Sequence, residues 1–161
     1  MGISIKSQDI FMAAAAVPTD EGRVADAVDG AFGKIAPSSN LTGASQLLDL
    51  KNQVQADLRE WGATTVGLLD TGKHAQWVYS QAQRRILSIS AVMYACAEEN
   101  IEFHIIKPGD AGRAVGSPKL DKIQPEIFGL ANKPTFWTTG LGEAYAAAIP
   151  SLVRGSTASK A

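Results

Sequence analysis

The chain has 161 residues, a single cysteine and a formal net charge of -1; this length supports one domain with a full hydrophobic core. Near-neutral charge excludes a protein that draws nucleic acid over its whole surface, so any such contact needs a local basic patch. A lone Cys96 excludes an internal disulfide and a cysteine-built zinc site, and its setting, VMYACAEEN, marks it as a small core side chain. No run approaches the roughly 18 apolar residues of a membrane-crossing helix. No basic-then-apolar leader opens the chain, and the apolar residues 13–17 are too few for either. The expectation is a cytoplasmic protein with no membrane partner.

Residues 1–6 alternate, with Ile3 and Ile5 on one face and Ser4 and Lys6 on the other. Ser7, Gln8 and Asp9 are turn residues, and residues 10–17 are apolar up to Pro18. This predicts an antiparallel hairpin. The run of alanines favours helix, but the span between turn and proline is short for one. Residues 19–39 mix an acidic set, Asp20, Glu21, Asp26 and Asp29, with Gly22, Gly30, Gly33 and Pro37, and leave room for a third strand over residues 32–36. In residues 40–61, Leu47, Leu48, Val54, Leu58 and Trp61 recur at three- and four-residue spacing and predict an amphipathic helix. Thr42 or Ser45 is placed to cap it and Gly62 to end it.

TTVGLLD, residues 64–70, follows at once. β-Branched residues lead an apolar run that ends on a carboxylate, which reads as a buried parallel strand. In open α/β sheets the C-terminal tip of such a strand is where ligands sit. Helix and strand then repeat: residues 73–100 keep Val78, Ala82, Ile86, Ile89, Met93 and Ala97 in period up to Asn100, and IEFHII follows over residues 101–106. Residues 110–116 predict a short helix, and residues 119–130 another that Pro125 interrupts. Residues 134–140 read as a loop. Residues 141–152 close the domain as a helix, with Pro150 placed to kink or shorten it. The expected domain is residues 1–153, followed by a small, polar, frayed tail over residues 154–161.

This order resembles the ribonuclease H-like fold: a three-layer α/β architecture whose mixed sheet has an N-terminal antiparallel hairpin and parallel strands flanked by helices. The nearer likeness is to the RuvC-type Holliday-junction resolvases and small uncharacterised relatives. IKSQDIFMAAAAV resembles the first hairpin, and QADLREWGATTVGLLD the helix and strand that end in the second metal-binding acid. QRRILSISAVMYACAEENIEFHIIKPGDAGRAVGS resembles the small-residue helix, strand, proline turn and "xxAVxG" segment of that group, here Arg113-Ala114-Val115-Gly116 and one residue shorter. GLGEAYAAAI resembles the last helix, which opens on an acid. A flavodoxin-like sheet shares the alternating half, and the antiparallel hairpin discriminates between the two.

The resemblance implies phosphodiester cleavage with two magnesium ions, held about 3.5–4 Å apart by clustered carboxylates. It places Asp70 and Glu143 as catalytic, metal-binding acids. It also exposes a departure: Lys6 stands where the first strand's aspartate belongs, a cation placed to pair with Asp70 or Glu143 instead, with Asp9 the nearest substitute, in the expected turn and facing away. Ala146 and Ala147 occupy the place of a further acid or histidine on the last helix. Asp70 equally suits a turn, and Glu143 a helix dipole. His74 reads as an exposed loop residue and His104 as a packed one. Lys73, Arg84 and Arg85, with Trp77 and Tyr79 among them, and Lys107, Arg113, Lys119 and Lys122 form candidate nucleic-acid contacts. Gly109, Gly112 and Gly116 do not make a phosphate loop, which argues against a nucleotide triphosphatase.

Three functions follow. The first is a pseudo-nuclease with a degenerate metal site, acting as a DNA- or RNA-binding or protein-interaction module. The second is a magnesium-dependent, structure-selective DNA endonuclease. The third is a structural homodimer, for which Ile86, Leu87, Ile89, Ala91, Val92 and Met93 on the second helix offer a surface.

Overall fold

A two-residue turn starts the fold. In the computed structural model, which describes residues 1–70 and 78–158, β1 (Gly2–Lys6) and β2 (Asp9–Ala16) pair antiparallel around Ser7 and Gln8. Ser7 takes the positive φ, 57°, that so tight a turn demands. The expectations placed on Lys73, His74 and Trp77 lie outside the described residues. The alanines of β2 are strand, as their span implies, and Ala13 and Ala15 lie in the core against the last helix. β3 (Asp26–Ile35) pairs antiparallel with β2 and starts six residues before the expected 32–36 segment. A register shift between Ala13 and Ala15 lets the ladder resume at Ala27 and Asp26. As an edge strand that is largely open, β3 hides its period behind polar residues and glycines.

α1 (Gly43–Glu60) starts after Thr42, whose hydroxyl makes no cap hydrogen bond, and ends before Gly62 at φ 62°. β4 (Thr65–Leu69), α2 (Tyr79–Glu98), β5 (Glu102–Ile106) and α3 (Pro108–Val115) follow. Asn100, at φ 53°, turns the chain out of α2. The helix expected over residues 119–130 is instead two 3₁₀ turns, Leu120–Lys122 and Pro125–Phe128. Proline has no N–H to continue a helix but is suited to begin a turn, and Pro125 opens the second one. The end of the expected 134–140 loop is a π turn, Trp137–Leu141. α4 (Gly142–Ala158) then runs through Pro150 without ending early, so the segment expected as a frayed tail is helical as far as Ala158. Packing holds it: Thr65 Oγ1 donates to Ser151 O at 3.3 Å, and Gly155 lies against the Thr65 side chain. No helix among the described residues is long and apolar enough to cross a membrane.

The sheet order is β3-β2-β1-β4-β5, with β1, β4 and β5 parallel. The antiparallel hairpin beside parallel strands settles the choice against a flavodoxin-like sheet. Strand alternation divides the core in two. Ile3, Ile5, Ile10, Met12, Val66 and Leu68 meet Leu50, Val54 and Leu58 of α1 and Val92 of α2 on one face. Phe11, Ala13, Leu69 and Ile106 meet Ala144, Tyr145 and Ala148 of α4 on the other. Cys96 is buried in the first cluster. The polar-looking face of β1 is therefore where α4 docks.

Tyr145 is fully buried against Phe128 and Trp137, and its hydroxyl has no hydrogen-bond partner among the described residues. Tyr145→Phe is expected to stabilise the fold by about 1 kcal/mol in urea unfolding, because a buried hydroxyl without a partner has lost its water for nothing. Burial also pushes the Tyr145 phenol up to about 12 and the Cys96 thiol up to about 11. Both groups hold their protons more tightly when folded than at their ordinary values of 10 and 9. Their contribution to stability is complete below pH 9 and is lost as the pH rises through 11 and 12. Unfolding titrations should show this alkaline decline, and Tyr145→Phe should remove its upper part.

Candidate functional site

The connectivity gathers the starts of α1, α2, α3 and α4 at one edge of the sheet, where β1, β4 and β5 end. The positive ends of four helix dipoles therefore converge there. At the centre of that edge, Glu143 in the first turn of α4 meets β1. Lys6 Nζ lies 2.6 Å from Glu143 Oε2, and Ser4 Oγ donates to the same oxygen at 3.2 Å. Ser4 and Lys6 are two residues apart on β1, so the pleat points both at α4. The Glu143 side chain is 17% exposed and that of Lys6 40%. The carboxylate is thus part-buried and matched by a cation.

The row continues along the hairpin. Asp9, expected in the turn and facing away, is the first residue of β2 and the register partner of Lys6. Its Oδ2 lies 2.9 Å from Lys34 Nζ on β3. Lys34 in turn stands over the rings of Phe11 and Phe136, at 5.9 and 5.1 Å from their centroids. Glu143, Lys6, Asp9 and Lys34 make a file of alternating charge that ends on aromatic rings.

Asp70 is placed differently. Ile3 pairs with Leu68, so Leu69 is the β4 residue level with Ser4 and facing α4. Alternation turns the next residue, Asp70, toward the opposite face. There its charge helps keep the Arg85 guanidinium protonated, against a burial that lowers Arg85 from its ordinary value. Asp70 is exposed and its N–H donates to Ile106 O at 2.8 Å. The structure therefore brings Lys6 and Glu143 together and leaves Asp70 on the other side of the sheet.

Arg85 is not the surface contact expected of it: it is 6% exposed, and its Nη1 donates to Ile5 O at 2.6 Å. With Ser88 Oγ donating to Gln8 O at 2.7 Å, α2 clasps the β1–β2 turn. Arg84 does face outward, lining a 420 Å³ cleft with Gln8, Ser39, Thr42, Gln46 and Gln83. Lys107 and Lys119 are exposed. Arg113 is exposed but pairs with Asp110. His104 is part-buried, with Nε2 3.1 Å from Glu102 Oε1.

Among the described residues the donor set does not fit two magnesium ions. Of the carboxylates at this edge, Glu143 is taken by Lys6, Asp9 by Lys34, and Asp70 faces the other way. Leu69 fills the facing position on β4. Among the described residues no group of three or more His, Cys, Asp or Glu could hold a metal. Sequence reasoning found Lys6 and Glu143 but missed Ser4, Lys34 and Phe136. Ser4 and Lys34 carried no signal without the strand register, and Phe136 lay in an expected loop.

By sequence, the chain matches no family model and no curated protein. By structure, it is similar to RuvC of Thermus thermophilus, with a TM-score of 0.76 and 17% identity, covering 97% of this chain and 95% of that one. It is also similar to T. thermophilus RuvC in complex with a Holliday junction substrate, with a TM-score of 0.75, 17% identity, and coverage of 97% and 94%. The chain has a RuvC-like, ribonuclease H-like fold.

Proposed function

We propose that this chain is a nucleic-acid-binding module on a ribonuclease H-like fold, in which an ion pair has taken the place of the metal site. The carrying observation is Lys6 Nζ at 2.6 Å from Glu143 Oε2. A cation from the first strand neutralises the carboxylate that a metal would need. The T. thermophilus protein of the same fold was solved in complex with a Holliday junction substrate, which supports DNA, or RNA, as the partner here. Exposed Lys107 is the N-cap of α3, and exposed Arg84 lies in the second turn of α2. Amide dipoles and cations of this kind hold phosphate without a metal.

The test incubates labelled single-stranded, duplex and four-way-junction DNA with magnesium or manganese. The expected result is retarded bands and no cleavage. Metal-dependent cutting that Glu143→Gln or Asp70→Asn abolishes would overturn the reading and return the endonuclease. An absence of any retardation would leave a protein-interaction role.

A second reading, self-association, has its own observation. Tyr79, Ile86 and Met93 recur every seven residues on α2 and are exposed, as is Ile105 on the edge strand β5. One apolar stripe at heptad spacing suits a second copy of this helix. Light scattering is expected to give a dimer mass, which Ile86→Lys returns to that of a monomer.

A further inference from the structure

Phe136 is the third residue of a turn closed by Trp137 N donating to Pro134 O at 3.2 Å. Its φ of 68° and ψ of 10° are left-handed, where a turn of this kind calls for glycine. Its carbonyl accepts N–H groups from Thr139, Gly140 and Leu141, which locks the conformation. The residue nevertheless stays 45% exposed. It meets the Phe11 ring edge-on at 6.1 Å and the Lys34 ammonium at 5.1 Å. A glycine would suit this backbone better and nearly half of the residue is left to water, so burial alone does not account for an aromatic residue here. Backbone strain of this kind collects where a side chain serves a ligand.

Phe32 on β3 is exposed beside it. The two rings, with Gly33, Lys34, Thr135 and Leu141, line a 130 Å³ cleft, space for one planar heterocycle. Lys34 gives a donor to Asp9, and an ammonium has others to offer. Aromatic faces stack nucleobases of any sequence, and a neighbouring cation takes the phosphate.

We propose that Phe136, Phe32 and Lys34 form a shelf that holds one unpaired nucleobase and its phosphate from a single strand, at the end of the charge file that starts at Glu143. The proposal rests on the nucleic-acid reading above and goes beyond it in naming single-stranded substrate and the residues that select it. Duplex DNA keeps its bases stacked inside and offers the shelf nothing.

The experiment measures fluorescence anisotropy with a labelled oligothymidine strand, the same strand with abasic sites throughout, and a duplex of equal length. Wild type is compared with Phe136→Gly and Phe32→Ser. Glycine accepts the left-handed backbone, so Phe136→Gly removes the ring and keeps the turn; Phe32→Ser, on an edge strand, tests the same shelf without touching that turn. Each substitution is expected to weaken the intact strand about tenfold and to leave the abasic strand and the duplex unchanged. Unchanged binding of the intact strand by both variants overturns the shelf while the nucleic-acid reading stands. So does equal loss on strand and duplex, or wild type holding the abasic strand as tightly as the intact one. Wild type binding none of the three overturns the nucleic-acid reading, and the shelf with it.

Discussion

Gly2→Val is expected to cost more than about 4 kcal/mol, a range reached only when something in the core must move. A Cβ at Gly2 would stand 1.8 Å from Ala144 O and 2.4 Å from Ala148 N. Both are backbone atoms of α4, which has no rotamer with which to retreat. Gly67, the parallel partner of Gly2 on β4, is in the same position, with a Cβ 2.6 Å from Ala147 O. The two glycines form a seat on which an alanine-rich helix lies almost against the strands. Any side chain there lifts α4, and with it Glu143, away from Lys6. The thermal midpoint should fall by about 8–16 °C, and the variant should lose its compact state first around α4. Gly33→Val is the control: no atom lies within 4 Å of a Cβ there, and β-branching suits a strand. Equal losses at Gly2 and Gly33 would show that the close approach of α4 is not what Gly2 protects.

Lys6→Asp is expected to reverse the response of the protein to magnesium. Without metal, the new carboxylate faces Glu143 and neighbours Asp9, and the part-buried Glu143 loses its cation. The expected loss is about 2 kcal/mol, less than for a fully buried pair because Lys6 is substantially exposed. Carboxylates gathered at a sheet edge then offer a divalent cation what wild type withholds. At a magnesium concentration about 100 times the dissociation constant, binding returns about 2.7 kcal/mol. In a thermal melt this is a rise of about 5–10 °C for the variant, with wild type unmoved. A rise of the same size in wild type would mean that Lys6 does not close the site, and would undercut the reading of this protein as a binder. A variant indifferent to magnesium would mean that more than the β1 residue has been lost, and would overturn this expectation.

Where sequence and structure part company, the cause lies in contacts remote along the chain. The order of strands and helices was legible because α1, α2 and the buried β4 carry their own periods. The capping glycine Gly62 and the stop at Asn100 are local chemistry, and both stand where the sequence puts them. β3 was legible only at its far end, since an edge strand open to water has no apolar alternation to read. Pro150 promised a break, but burial of α4 along β1, β2 and β4 outweighs one missing N–H. The substitution of Lys6 for an acid was visible from the resemblance alone. It left Asp70 and Glu143 both open as partners of that lysine, and only the folded structure chose Glu143.

By itself, then, the sequence determined the alternation of elements, the hairpin, the amphipathic faces and the presence of a lysine at the tip of β1. Those properties depend on residues a few positions apart, and the chain carries them wherever it goes. Only the tertiary structure decided which face each charge occupies. The pleat reverses direction at every residue, so one step from Leu69 to Asp70 moves a carboxylate across the sheet. Only the structure, too, brought Glu143 to Lys6, Asp9 to Lys34 and Lys34 to Phe136, contacts between elements that close pairing and the glycine seat force together.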